Sequence, residues 1–121
     1  MVDKVNLAQK FTLFDDRWSP RIVGELNDLH IKIAKIEGEF IWHQHEDTDE
    51  LFLVTDGTLH MHLRDKTIEV GPGEIIVIPA GVEHKPEAQG VCQIVMFERK
   101  GTLNTGEHAD SERTKSELEW I

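Results

Sequence analysis

Tyrosine is absent from the chain, cysteine occurs once, and apolar runs stop after a few residues. Each shortage excludes something. Without tyrosine there is no phenolic acid or base. A lone Cys92 cannot form an intrachain disulfide; set in the apolar run "VCQIVMF", it reads as a buried core thiol. A reducing, cytoplasmic setting is expected from that usage. No run approaches the roughly 20 apolar residues that cross a bilayer. The opening "MVDKVNLAQK" lacks the apolar stretch of a secretory leader. Basic residues are scarce too: 13 Lys and Arg face 23 Asp and Glu, a formal charge of -10. That field repels phosphate backbones and anionic membranes, so neither nucleic acid nor membrane is expected as a partner. What remains is a small acidic domain of 121 residues, long enough to bury a core without staples.

The apolar pattern changes once along the chain. In "NLAQKFTLF" Asn6 is placed to cap a short helix, with Gln9 at capping-box spacing and Leu7, Phe11 and Phe14 on one face. Pro20 stops any continuation. From Arg21 to about Arg99 short β-like runs follow, each bounded by turn residues: "RIVGEL", "LHIKIAKI", "FIWHQH", "ELFLVT", "TLHMHLR", "TIEV", "EIIVI" and "VCQIVMFER". Asp56-Gly57 carries a strong hairpin signature, and Glu37-Gly38 reads as a turn. Such punctuation with no helix between strands predicts an all-β antiparallel sandwich or barrel, one domain over 1–121 with its barrel core at about 21–99. The tail from Gly101 is polar and turn-rich, with one or two helical turns expected near its end. Trp120 and Ile121 are expected to pack against the body or a second subunit.

Chemistry concentrates in "HQHEDTDELFLVTDG", His43 to Gly57. In a strand His43 and His45 share a face about 7 Å apart, with Ile41 beside them and Trp42 and Gln44 opposite. After the short loop "EDTD", an antiparallel return brings Glu50 back beside them, with Phe52 and Val54 on its face. Two histidines and a carboxylate suit open sites for iron(II), manganese and similar ions. His-x-His alone is weak: His60 and His62 in "LHMHL" have the same spacing. There Leu59, Met61 and Leu63 form the core face, so His60, His62 and Arg64 read as outward. The stronger signal is "GEIIVIPAGVEH", in which a Pro-x-Gly corner fixes the backbone just before His84.

These two segments resemble the paired motifs of the cupin superfamily. The first is Gly38, His43, His45, Glu50 and Gly57; the second is Gly73, Pro79, Gly81 and His84. The chain departs from the usual pattern in having four residues between Gly38 and His43 where five are common, and Ala88 where an asparagine closes the second motif. The tail "GTLNTG" is similar to that of small single-domain cupins of the mannose-6-phosphate isomerase-like type. The resemblance implies a double-stranded β-helix (jelly-roll barrel) and one divalent transition metal ion (Fe, Mn, Zn or Ni) held by His43, His45, Glu50 and His84. It implies a small-molecule ligand or substrate and a homodimer. Dioxygenase, isomerase and lyase chemistry all occur with this site, and a non-catalytic binding module is the alternative. Cupin mechanisms that need a tyrosine are excluded here. A general base would have to be Glu50 off the metal, a metal-bound hydroxide or Glu87. Ile41, Phe52 and Val54 are expected to line the cavity. Leu51 and Leu53, on the other face of the strand, need cover from the N-terminal helix or from a second subunit.

Overall fold

The computed structural model describes residues 2–108 and 111–121. Asn6 caps helix α1, Leu7–Phe11, its side chain accepting from the Gln9 N–H at 3.0 Å. The helix ends six residues before Arg17 and well short of Pro20; Phe14 lies beyond it yet stays buried. Seven strands follow among the described residues: β1 Arg21–Leu26, β2 Leu29–Glu39, β3 Glu50–Asp56, β4 Leu59–Leu63, β5 Thr67–Val70, β6 Ile75–Ile78 and β7 His84–Arg99. The main path runs β1-β2-β7-β3-β6, and β4 joins through β7 with β5 beside it. All strand pairs are antiparallel.

β7 holds the two halves of this jelly roll together. Its last residues pair with β2 on one side and β3 on the other, while His84–Glu87 pair with β4. It bends where Gln89, Gly90 and Val91 oppose the single Glu37, so Gly38, at φ +79°, marks a bulge within β2 and not the end of a strand. The expected start of the last strand at Val91 is therefore seven residues late.

Three other expectations fail. Asp56-Gly57 does not make a hairpin, because β3 pairs with β6 and β7 while β4 pairs with β5 and β7. It is a corner between sheets. Glycine is needed there for φ +81°, and the sequence signal reports that backbone angle without saying which strands pair. "FIWHQH" is not a strand either: only His43 bridges, to His84. The described tail contains turns and no helix. Its end instead adds a parallel bridge from Trp120 to Ile22 at the sheet edge.

Alternation decides what is inside. Along β3, Glu50, Phe52 and Val54 are buried and Leu51, Leu53 and Thr55 half-buried. The inward residues join Ile36, Leu59, Met61 and Ile94 in the barrel core. A second cluster on the outer face packs Phe11, Phe14, Ile33 and Val95 beneath α1, with Leu53 and Ile121 against it. Leu51 lies outside both clusters, and Trp120 remains 55% exposed. On β4, Leu59 and Met61 are fully buried, and His60 and His62 lie on the outer side, partly exposed.

The sheet-to-sheet corner yields a test. A Cβ at Gly57 would lie 2.7 Å from the Val91 carbonyl oxygen and 2.9 Å from Cys92 Cα, both backbone atoms. Gly57→Ala is expected to cost about 2 kcal/mol or more in urea unfolding. Gly90→Ala, with nothing within 4 Å of its Cβ, is expected to stay within about 0.5 kcal/mol of the parent.

Candidate metal centre

The segment between β2 and β3 is fastened to β7 by a pair of backbone hydrogen bonds. His43 N–H donates to the His84 carbonyl at 3.0 Å, and His84 N–H returns to His43 at 2.9 Å. The Pro79-Ala80-Gly81 corner is tied to the same place, since Gly81 N–H donates to the His45 carbonyl at 2.8 Å and Ala80 N–H to the Asp49 carboxylate at 2.9 Å. Gly81 turns at φ +81°. Thus histidines separated by some forty residues are held together by main chain before any side chain contributes.

The four expected residues, His43, His45, Glu50 and His84, do meet. All are buried, and their donor atoms lie within 4.8 Å of one another. Glu50 Oε1 is 3.3 Å from His45 Nε2 and 3.4 Å from His84 Nε2. Atoms about 2.1 Å from a common ion lie roughly 3 to 4.2 Å apart, so those separations suit neighbouring ligands. Two imidazoles are preset for the task. His43 Nδ1 is 2.9 Å from the Ile41 carbonyl and His84 Nδ1 is 2.9 Å from that of Val82. A proton on each Nδ1 leaves the Nε2 lone pair free.

The His84 lone pair meets nothing else. His45 Nε2, His84 Nε2 and Glu50 Oε1 are buried without a hydrogen-bond partner. Burying three unpaired polar atoms costs about 1–3 kcal/mol each. Their convergence fits a cation, which needs electron-pair donors and no protons. Burial, followed by the neighbouring His84 imidazole, pushes the His43 imidazole down to about 4, so it is a neutral donor at pH 7.

Sequence reasoning missed two charged groups behind Glu50. Glu98, opposite Glu50 on β7, is buried, as is Lys32 on β2, whose Nζ lies 2.7 Å from Glu98 Oε1. Burial, then the Glu50 charge and a shared hydrogen bond, raise the Glu98 carboxyl well above its ordinary value despite the Lys32 ammonium. Burial alone would also raise Glu50. The neighbouring Glu98, His45 and His84 side chains outweigh it and hold Glu50 well below the carboxylate range. The pair thus divides, with the charged form favoured at Glu50 and the protonated form at Glu98. Alternation contained the signal: Cys92, Ile94, Met96 and Glu98 share one face of their strand, and Lys32, Ala34 and Ile36 share one face of theirs.

The cavity beside the site is lined by Phe52 but not by Ile41 or Val54, which belong to the surrounding core. Residues outside the strands, Trp18, Pro20, Phe40 and Asn104, also line it. Glu87 is not in it. On the outer surface Glu87 Oε1 pairs with His62 Nε2 at 2.6 Å, because β7 alternation puts Glu87 opposite in sense to Pro86 and Ala88. Trp42, facing away from the site as expected, lies under the Arg64 guanidinium at 3.8 Å. The tail closes over the ligand segment, with Glu107 accepting from the Gln44 N–H at 3.1 Å.

A jelly-roll barrel with a three-histidine, one-glutamate cluster defines the class of protein. Residues 29–98, over half of the chain, match the sequence model of the Cupin_2 family, described as a cupin domain. The chain belongs to that family. It is similar to a cupin-2 domain containing protein from Shewanella frigidimarina NCIMB 400, at 50% identity over 79% of this chain and 94% of that one, with a TM-score of 0.79. Protein NMB1881 from Neisseria meningitidis shares the fold, at 24% identity over 81% and 100% of the chains and a TM-score of 0.74. The uncharacterized protein YdbB of Bacillus subtilis (strain 168) is 38% identical over 64 residues, 52% of this chain. The match spans 57% of YdbB's length.

The assigned roles separate by substitution. His45→Ala and Glu50→Ala are each expected to lower affinity for Zn2+ or Mn2+ at least about tenfold in isothermal titration, while His60→Ala leaves it unchanged. Metal-free protein should lose stability as pH falls from about 6.5 toward 4, where unfolded chains protonate position 43 and the folded imidazole, depressed to about 4, does not. Denaturant midpoints across that range should slope less in His43→Gln.

Proposed function

We propose that His43, His45, Glu50 and His84 bind one divalent transition metal ion, iron, manganese, zinc or nickel, and that the chain is a small-molecule enzyme of dioxygenase, isomerase or lyase type. The observation that carries this is the group of unpartnered, buried electron-pair donors. A divalent ion there supplies Lewis acidity and, as iron, oxygen activation, with two of six positions left to ligands. The protein's part is to keep the His43 imidazole neutral, to favour the charged form of Glu50 beside Glu98, and to exclude water behind the site. With no tyrosine and with Glu87 on the outer surface, a side-chain base would have to be Glu50 itself.

A second reading, a binding module without turnover, is favoured by one observation. Among the described residues lining the cavity, Asn104 is the one amide or charged side chain apart from the ligand residues. No membrane-spanning helix is found among the described residues. The buried Cys92 thiol, pushed by burial and then by Asp56 up to about 11, fits a reducing cytoplasmic setting, and the charge of -10 argues against nucleic acid. We read the chain as one domain with its barrel at about 21–99, and as a homodimer. Ile75 and Val77 on β6 are exposed on the outer face beside the half-buried Leu51 and Phe97, which suits a second copy.

Protein purified without added metal should carry a stoichiometric transition metal by elemental analysis. Oxygen uptake and substrate depletion should then appear for at least one of phenolics, diketones, thiols or sugar phosphates; a metal-replete protein inert to all four favours the binding module. Sedimentation at micromolar concentration should give twice 13.9 kDa, and a single 13.9 kDa species removes the dimer.

A further inference from the structure

The cluster of His43, His45, Glu50 and His84 borders two unequal spaces. His43 and Glu50 line an interior cavity of about 40 Å3, room for a few water molecules and nothing larger. His45 lines an outer cleft of about 420 Å3, within the usual range for small-molecule sites, roughly 300–1,000 Å3. The start of the tail, residues 101–107, borders both. Asn104 lines the interior cavity, while Gly101, Thr102, Leu103, Gly106 and Glu107 line the cleft. Gly101, Thr102 and Leu103 also border a third space of about 160 Å3 beside Ile22 and Lys32, so free volume adjoins them beyond the cleft as well.

This segment is fastened lightly. None of its residues belongs to either apolar cluster. Past the turn at its base, where Thr102 bonds the Arg99 carbonyl, two hydrogen bonds tie it to the barrel among the described residues. Lys32 Nζ donates to the Thr102 carbonyl at 3.4 Å, and the Gln44 N–H donates to Glu107 Oε1 at 3.1 Å. Its other bonds stay within the tail. Gly106 N–H donates to the Leu103 carbonyl at 3.1 Å; Asn104 donates to the Arg113 carbonyl and accepts from the Lys115 N–H, each at 2.8 Å. At the base, Gly101 turns at φ +83° with nothing within 4 Å of an added Cβ, so the backbone there has room to rotate. At the far end, Gly106 rests on the main chain between the two histidines, where a Cβ would overlap the Gln44 carbonyl oxygen.

We propose that residues 101–107 form a strap that lifts from Gln44 by turning at Gly101, joining the interior cavity and the outer cleft into one site for a small molecule. The proposal deepens the metal reading and rests on it only for what the joined space serves. With the strap seated, the space at His43 and Glu50 admits water alone; with the strap lifted, it opens to the cleft that His45 already lines. The seating contacts are few and polar, so lifting breaks them while the strand ladders and both apolar clusters stay intact.

The test reads opening on the metal-free full chain. Met96, on the wall of the interior cavity, is replaced by cysteine in a Cys92→Ala background, and its alkylation by iodoacetamide is followed by mass spectrometry. Adding Glu107→Ala, which removes one tie, is expected to speed alkylation at least about fivefold. Glu107→Gln, which keeps an acceptor for the Gln44 N–H, should stay within about twofold of the parent. Urea midpoints should fall too little to account for the gain. An unchanged rate in Glu107→Ala, or a gain matched by an equal loss of global stability, overturns the proposal. If the Met96→Cys chain does not fold, hydrogen exchange on the parent decides. The Gln44 N–H should then exchange at least about tenfold faster than the His43 and His84 N–H groups, which bond each other's carbonyls. Exchange of Gln44 as slow as theirs overturns the strap. Failure to take up Zn2+ would sink the metal reading instead, and both measurements, made without metal, would still decide this one.

Discussion

Two main-chain hydrogen bonds between His43 and His84 organise the rest of this molecule. They join a segment that belongs to no strand to the strand that runs through both halves of the barrel. Because they fix backbone, the imidazoles above them keep their spacing without support from one another. The neighbouring Pro79-Ala80-Gly81 corner adds a third tie at His45, so three of the four donors share one frame. The fourth, Glu50, arrives by strand alternation on β3.

That frame lets the protein tolerate an arrangement that is unfavourable by itself. Buried acceptors without donors, and two carboxyls in contact, oppose folding. The opposition is offset by an apolar core on both sides and by Lys32, placed behind the pair to moderate the second carboxyl. Removing water from the cluster also strengthens every electrostatic interaction within it. Stability here is given up at one point and recovered through the barrel wall.

Much of the fold was legible because alternation and turn chemistry are local. Seven of eight expected strands exist, and the separation of His43 and His45 from His60 and His62 follows from which neighbours are apolar. Illegible were the features set by pairing. Gly57 and Gly38 announce unusual backbone angles, but a corner, a hairpin and a bulge all use them. "FIWHQH" has strand-like composition, yet it runs on from β2 with only two points of attachment to β7, Phe40 N–H to the Pro86 carbonyl and the His43–His84 pair. Glu98 and Lys32 were visible as charges on otherwise apolar strand faces. Trp18 and Asn104 were not, since nothing in the sequence places distant loops over one end of a barrel.

Gly106 shows how far the site extends along the chain. Any side chain there would begin 2.0 Å from the Gln44 carbonyl oxygen, between the paired imidazoles. A position within an irregular, polar stretch is therefore as narrowly specified as one in the hydrophobic interior. Divergence in that stretch is bounded by the main chain it rests upon, and related sequences that differ there must differ in how their first histidine pair is covered.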